Sequence, residues 1–130
     1  MNQTGHCLIT NPNLCINPEI LNGTAGCSPD GITYCGILVE TKCPLTRAIK
    51  PGGKIPPYYL PQVLFSLHVL NLETCLYFEY NAFNPLNTNT QIINYDENWW
   101  KENESEFISF KADYTSLKIP NNCCLPLPSL

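Results

Sequence analysis

Positive charge is scarce in this chain. Seven Lys plus Arg stand against eleven Asp plus Glu in 130 residues, giving a formal charge of -4 and a pI near 5.0. That balance excludes charge-driven binding of nucleic acid by the surface as a whole and leaves only a local basic patch for such a purpose. Long apolar runs are also missing, so no segment reads as a membrane span and no membrane partner is implied. The opening Met1-Asn2-Gln3-Thr4-Gly5-His6-Cys7 has neither a basic region nor an apolar one, so no secretory leader is read there. The expected setting is intracellular, in cytoplasm or nucleus, with thiols reduced. The eight cysteines include no CxxC pair, and the adjacent Cys123 and Cys124 have no companion pair at zinc-finger spacing, which argues against structural zinc. Sequons begin at Asn2, Asn22 and Asn103, but a chain so rich in asparagine generates them by chance.

What is present suffices for one core. With 44% hydrophobic and 14% charged residues the chain is globular, and its length allows a single domain. We place that domain at 1–118, followed by an irregular proline-rich tail at 119–130. The first 27 residues alternate Asn, Pro and Gly with short apolar pieces and read as loop with one short strand. Ile32-Thr33-Tyr34 and Ile37-Leu38-Val39 are β-prone runs around a Cys-Gly pair, a hairpin signal. The next stretch carries Lys42, Arg47, Lys50 and Lys54, four of the seven basic residues, with Pro51-Gly52-Gly53, and predicts an exposed loop. A buried helix is expected from Pro61 through the run PQVLFSLHVLN, then strands at 74–80 and 91–95. Asp96 is placed to cap a helix reaching about Leu117, with Trp100, Phe107, Phe110 and Tyr114 on one stripe and Glu97, Glu102, Glu104 and Glu106 on a solvated side. Trp100 is expected to pack and Trp99 to be exposed. His68, inside an apolar run, is expected to be a satisfied core histidine, and His6 is given no role.

The segment that carries chemistry is Ser28-Pro29-Asp30-Gly31 followed by Glu40-Thr41-Lys42-Cys43-Pro44. If Tyr34-Cys35-Gly36 is a three-residue hairpin loop with Gly36 left-handed, paired residues have numbers summing to 70. Asp30 then falls opposite Glu40, with Cβ atoms roughly 4.5–5.5 Å apart. Two facing carboxylates repel unless a cation lies between them, and hard oxygen ligands favour Mg²⁺ or Mn²⁺. Lys42 shares Glu40's side of the strand because side chains alternate, while Thr41 and Cys43 point the other way. One or two such ions with a nearby lysine suit hydrolysis of a phosphodiester. Arg47, Lys50 and Lys54 follow directly and are candidate phosphate contacts.

Through SPDGI, ILVETKCP and YYLPQVLFSLHVLNLETCLYFEY, from about Cys27 to Tyr80, the chain resembles the YqaJ-like viral recombinase family, which includes lambda-type exonucleases of the PD-(D/E)xK nuclease superfamily. The resemblance implies an α/β restriction-endonuclease-like domain: a central mixed sheet with flanking helices, with fewer residues ahead of the SPDG segment than the family has. It further implies metal-dependent exonuclease action on DNA, 5′ to 3′ from duplex ends, in viral or phage-type recombination or replication. Carried over by motif, Asp30, Glu40 and the Thr41 carbonyl hold Mg²⁺ or Mn²⁺ and Lys42 is catalytic. Ser28 and Gln62 join the DNA-contacting set, while Leu64 stands where the family has a second glutamine. A homo-oligomer and a single-strand annealing protein are the partners implied besides DNA. Two rival readings are a non-catalytic DNA-binding or interaction module of the same fold, and a secreted disulfide-rich protein using the eight cysteines.

Overall fold

Gly36 sets the register of the central hairpin. It takes φ 81°, a conformation open to glycine without steric cost, and its N–H donates to the Thr33 carbonyl at 2.9 Å. The Thr33 N–H donates to the Ile37 carbonyl at 2.9 Å and closes the three-residue loop. Strands β4 (Gly31–Thr33) and β5 (Leu38–Lys42) then pair antiparallel with Gly31 opposite Val39 and Ile32 opposite Leu38, the register expected from the turn. The computed structural model describes residues 8–10, by backbone alone, and 13–117. The tail at 119–130, together with Asn2, His6, Cys7, Cys123 and Cys124, lies outside the described residues.

The N-terminal region holds more strand than its composition predicts. Strand β1 (Leu8–Thr10) pairs antiparallel with β4, and β2 (Cys15–Ile16) with β3 (Gly26–Cys27) forms a separate ribbon that faces Cys15 with Cys27. A 3-10 turn at Leu21–Gly23 connects the ribbon strands. Asn, Pro and Gly are poor strand formers locally, but here the partners come from elsewhere: β4 supplies a ladder, and Asn17 Nδ2 ties the ribbon to the Val69 carbonyl of the following helix at 2.9 Å.

Helix α1 (Leu60–Leu70) has Pro61 in its first turn, where the missing N–H costs no bond, and it ends at Asn71, left-handed at φ 53°, with the Leu72 N–H donating to the Leu67 carbonyl. The chain returns as β6 (Thr74–Asn81), parallel to β5, and then as β7 (Asn84–Asn94), antiparallel to β6. The five-stranded sheet runs β1-β4-β5-β6-β7. Strand β7 is longer than the expected 91–95, because the backbone of β6 offers a full edge that polar Asn and Thr residues can pair with despite weak strand preference. Helix α1 covers the sheet face that presents Leu38, Cys75, Tyr77 and Ile93, with Val63, Leu64 and Leu67 filling the interface. Leu64 is therefore a core residue.

Asp96 caps α2 (Glu97–Ser116) as expected, its Oδ1 accepting from the N–H groups of Asn98 at 3.0 Å and Trp99 at 3.1 Å. Asp96→Ala should lower stability by about 1 kcal/mol, read by urea denaturation, with an unchanged midpoint counting against the cap. The aromatic stripe is split. Trp100 is buried, stacked 3.7 Å from the His68 ring and 5.5 Å from Phe107, whereas Phe110 and Tyr114 stand exposed. Trp99, expected outside, packs against the core instead, because Asp96 starts the helix with that side turned to the sheet. His68 is only half satisfied: its Nδ1 pairs with Tyr95 Oη at 2.8 Å, while Nε2 is buried under the Trp100 ring with no hydrogen-bond partner among the described residues. Glu97, Glu102, Glu104 and Glu106 are exposed as expected. Cys15, Cys27, Cys43 and Cys75 are free thiols, and no helix among the described residues is long and apolar enough to cross a membrane.

Candidate active site at the central hairpin

The sheet face under α1 changes character along its strands. At the start of β5 and β6 it presents Leu38 and Cys75; two and four residues further on it presents Glu40 beside Tyr77, then Lys42 beside Glu79. Strand alternation places these on one side, and α1 passes over the boundary, so Gln62 from its first turn reaches the polar half. Lys42 Nζ donates to Glu40 Oε1 at 2.6 Å and to Gln62 Oε1 at 3.2 Å, while Gln62 Nε2 donates to the same Glu40 oxygen at 2.8 Å. The Lys42 ammonium also lies 5.0 Å above the Tyr59 ring. Glu40 is 4% exposed, so this closed set of partners offsets its desolvation.

Asp30 lies one residue outside β4 and is exposed. The ladder continued by one pair sets it against Glu40, yet its carboxylate reaches Thr41 instead: Oδ2 accepts from the Thr41 N–H at 2.8 Å and from Thr41 Oγ1 at 3.1 Å. The expected bare pair of facing carboxylates is thus relieved on both sides, Asp30 by Thr41 and Glu40 by Lys42. Thr41, assigned to the opposite side of the strand from Glu40, is the hinge between the two acids, because the N–H it offers lies at the strand edge where β4 has ended.

The oxygens left over fit a hard divalent cation. Among the described residues, hydrogen bonds engage Oδ2 of Asp30 and Oε1 of Glu40, and their other carboxylate oxygens receive none. A strand residue sends its N–H and C=O to the same edge, so the Thr41 carbonyl belongs with Asp30. No group of three or more His, Cys, Asp or Glu that could hold a metal ion occurs among the described residues. An all-oxygen donor set with so few side chains suits Mg²⁺ or Mn²⁺, which retain water or phosphate oxygens as ligands, better than zinc.

The basic loop has an organisation that the sequence did not reveal. Arg47 turns inward, and its Nη2 donates to Glu79 Oε1 at 2.5 Å. Glu79, 1% exposed, also accepts from Tyr77 Oη at 2.7 Å and from Asn89 Nδ2 at 3.4 Å. Burial pushes the Glu79 carboxyl upward, but these hydrogen bonds and the Arg47 charge outweigh it and hold the group below the usual carboxylate range. Burial likewise pushes the Cys75 thiol, with the charge of Glu40 near it, up to about 12. Lys50 and Lys54 are exposed beside Arg47 and Glu79, and Ser28 is exposed near Gln62. The structure thus brings Glu40, Lys42 and Gln62 into contact, sets Asp30 and Thr41 at their edge, and separates Arg47 from them by its pairing with Glu79. The available signal for Glu79 was a carboxylate at the inward phase of the alternating run TCLYFEY.

A mixed sheet whose antiparallel hairpin carries acid, acid and lysine, followed by a helix and a parallel return strand, is the restriction-endonuclease-like fold of the PD-(D/E)xK nucleases. The YqaJ-like viral recombinase domain model matches residues 10–74, and the chain belongs to that family. Among solved structures it is similar to an alkaline exonuclease, LHK-Exo, from Laribacter hongkongensis, at 26% identity and TM-score 0.74 over 88% of this chain. It is similar also to LHK-Exo in complex with dAMP, at 26% identity and TM-score 0.73. The chain spans 60% of the length of that exonuclease. Among curated protein sequences no significant match was found.

Proposed function

We propose that this domain is a metal-dependent DNA exonuclease of the alkaline exonuclease type, acting 5′ to 3′ from duplex ends in viral or phage-type recombination. The observation that carries the reading is the joined set of Glu40, Lys42 and Gln62 with Asp30 at its edge, on the fold of an exonuclease whose complex holds dAMP. Asp30, Glu40 and the Thr41 carbonyl would hold Mg²⁺ or Mn²⁺, one ion or two. An ion bound there would polarise the substrate phosphate and lower the pKa of a bound water. Lys42 contributes a fixed positive charge at the same place: Glu40, Gln62 and the Tyr59 ring hold its ammonium, so it meets a phosphate oxygen without first losing freedom. Gln62 bonds both the Glu40 carboxylate and the Lys42 ammonium and so holds the two in one geometry. Ser28, Lys50 and Lys54, all exposed, are the groups that would touch the strand, and a homo-oligomer and an annealing partner belong to the same reading.

A time course with end-labelled linear duplex and closed-circular DNA in Mg²⁺ tests it. Release of nucleotides from the 5′ end of the linear substrate, with the circle untouched, is the expected result. Nicking of the circle overturns the exonuclease assignment. Retention of duplex without cleavage in either metal favours the non-catalytic module.

A further inference from the structure

Strands β2 and β3 set two thiols face to face. Cys15 and Cys27 are direct partners in the antiparallel ladder, and among the described residues no other ladder pair joins two cysteines. Partners across such a ladder project to one face of the ribbon. The Asn17 N–H donates to the Ala25 carbonyl at 3.4 Å, so by the alternation of an antiparallel ladder Cys15 and Cys27 are a hydrogen-bonded pair, with Cα atoms about 5.5 Å apart. A disulfide needs Cα atoms about 4.4–6.8 Å apart, so the native register already meets its distance requirement.

The rest of the fold holds that register. Gly26 lets the two strands close, since a Cβ there would lie 3.0 Å from the Cys15 carbonyl oxygen and 3.3 Å from the Ile16 side chain. Asn17 Nδ2 pins β2 to the Val69 carbonyl of α1 at 2.9 Å, and Lys111 Nζ of α2 donates to the Leu21 carbonyl in the connecting turn at 2.7 Å. The sulfurs themselves have weak partners: Cys15 Sγ donates to the Asn13 carbonyl at 3.2 Å, and the Ser66 side chain of α1 hydrogen-bonds Cys27. Burial pushes the Cys27 thiol up, and Cys15 and Glu40 both lie close enough to add to that effect. Both cysteines are only half-buried, unlike Cys75 in the core, and Cys27 lines a cavity of about 360 Å³ together with Ser28, Gln62 and Ser66, which gives a small reagent a way in. From Cys27 the chain runs through Ser28 and Pro29 directly into Asp30.

We propose that Cys15 and Cys27 are a thiol–disulfide site, oxidised by a small disulfide such as oxidised glutathione to a cross-strand bond that locks the ribbon where the chain enters the Asp30 hairpin. One protein thiolate attacks a sulfur of the reagent, forming a mixed disulfide and releasing one small thiolate. The second protein thiolate attacks the protein sulfur of that mixed disulfide and releases the other. The two protein thiol protons end on the two released thiolates, two electrons pass from protein to reagent, and one S–S bond forms for the one that breaks.

The full chain is equilibrated in buffers of reduced and oxidised glutathione, quenched by alkylation and cut after Glu19, which lies between the two cysteines, and the joined sulfurs are assigned by mass-spectrometric fragmentation. A peptide pair joined through Cys15 and Cys27 is the expected product, at a proportion of oxidised glutathione about tenfold lower than exposed Cys35 needs to take up glutathione. In concentrated urea this preference should vanish, because the ladder is gone. The cross-linked form should melt above the reduced one, since the bond constrains the unfolded chain and fits the folded one. Cys15→Ser should leave Cys27 carrying glutathione in the same buffers. Glutathione on both cysteines of the wild type with no cross-link, or a cross-link from either to another cysteine at the same ratio, overturns the site. An equal preference in urea overturns the ladder as its cause, and a cross-linked form that melts below the reduced one overturns the fit to the native register. None of these readouts involves DNA cleavage, so the site stands or falls apart from the nuclease reading.

Discussion

Lys42→Ala is expected to slow cleavage of linear duplex DNA by about 10²–10⁴-fold, the range for removing one positioned charge or proton-handling group from a reacting centre. The same substitution should tighten Mn²⁺ binding. The two effects oppose each other because the Lys42 ammonium sits 2.6 Å from Glu40 Oε1, one of the two carboxylates assigned to the metal. Its removal relieves competition for that oxygen and repulsion of a divalent cation. A purely structural lysine would slow cleavage too, but with weaker metal binding, since its loss would damage the fold; the tightened Mn²⁺ binding is the outcome that distinguishes the two. Calorimetric titration with Mn²⁺ and a single-turnover assay on the same preparation separate the cases. If the metal reading holds, Mn²⁺ should raise the Tm of the wild type, and Glu40→Gln and Asp30→Asn should abolish both that rise and cleavage. Wild-type cleavage by Lys42→Ala, or weaker Mn²⁺ binding by it, would remove lysine from the proposed chemistry.

The parts of this site legible in the sequence are those fixed by local rules. A left-handed glycine closes one kind of three-residue loop, and its register pairs Gly31 with Val39, one step from Asp30 and Glu40. Asp96 caps its helix for equally local reasons. The parts that escaped depend on what a residue meets across the fold. Arg47 reads as a solvent-facing cation within a Pro- and Gly-rich loop, and only the return of β6 beside β5 shows it a buried carboxylate. Residues 84–90 have a composition that argues against strand, and the open edge of β6 overrides it. Trp99 and Trp100 are adjacent in a helix and were separated by stripe alone, whereas the sheet and α1 make a corner deep enough for both. The spacing sets Asp30 and Glu40 one step beyond Gly31 and Val39, the last pair of the ladder, but the relief of their charges by Thr41 and Lys42 required side-chain positions that spacing does not contain.

Glu79→Ala should be the most destabilising single change in the basic-loop region, at about 2–4 kcal/mol, because it leaves three donors without their acceptor in a place water does not easily reach. Arg47, the Tyr77 hydroxyl and Asn89 all give hydrogen bonds to this carboxylate. For a domain near 100 residues a loss of that size lowers Tm by roughly 10–20 °C. Part of the wild-type stability should also be lost in acid. The folded-state pKa of Glu79 is depressed, so its contribution is present above the ordinary carboxylate range and disappears as the pH falls through the lower folded value. Glu79→Gln should flatten this acid limb while leaving the fold intact near neutrality. The double replacement Arg47→Met/Glu79→Leu provides the discriminating control. Replacing a buried ion pair with apolar groups of similar size often restores stability, so the double variant should recover the share of the loss caused by an unpaired Arg47, while Tyr77 Oη and Asn89 Nδ2 still lack their acceptor. A double variant no more stable than Glu79→Ala would show that the bonds from Tyr77 and Asn89, and not the ion pair, carry the stability of this region.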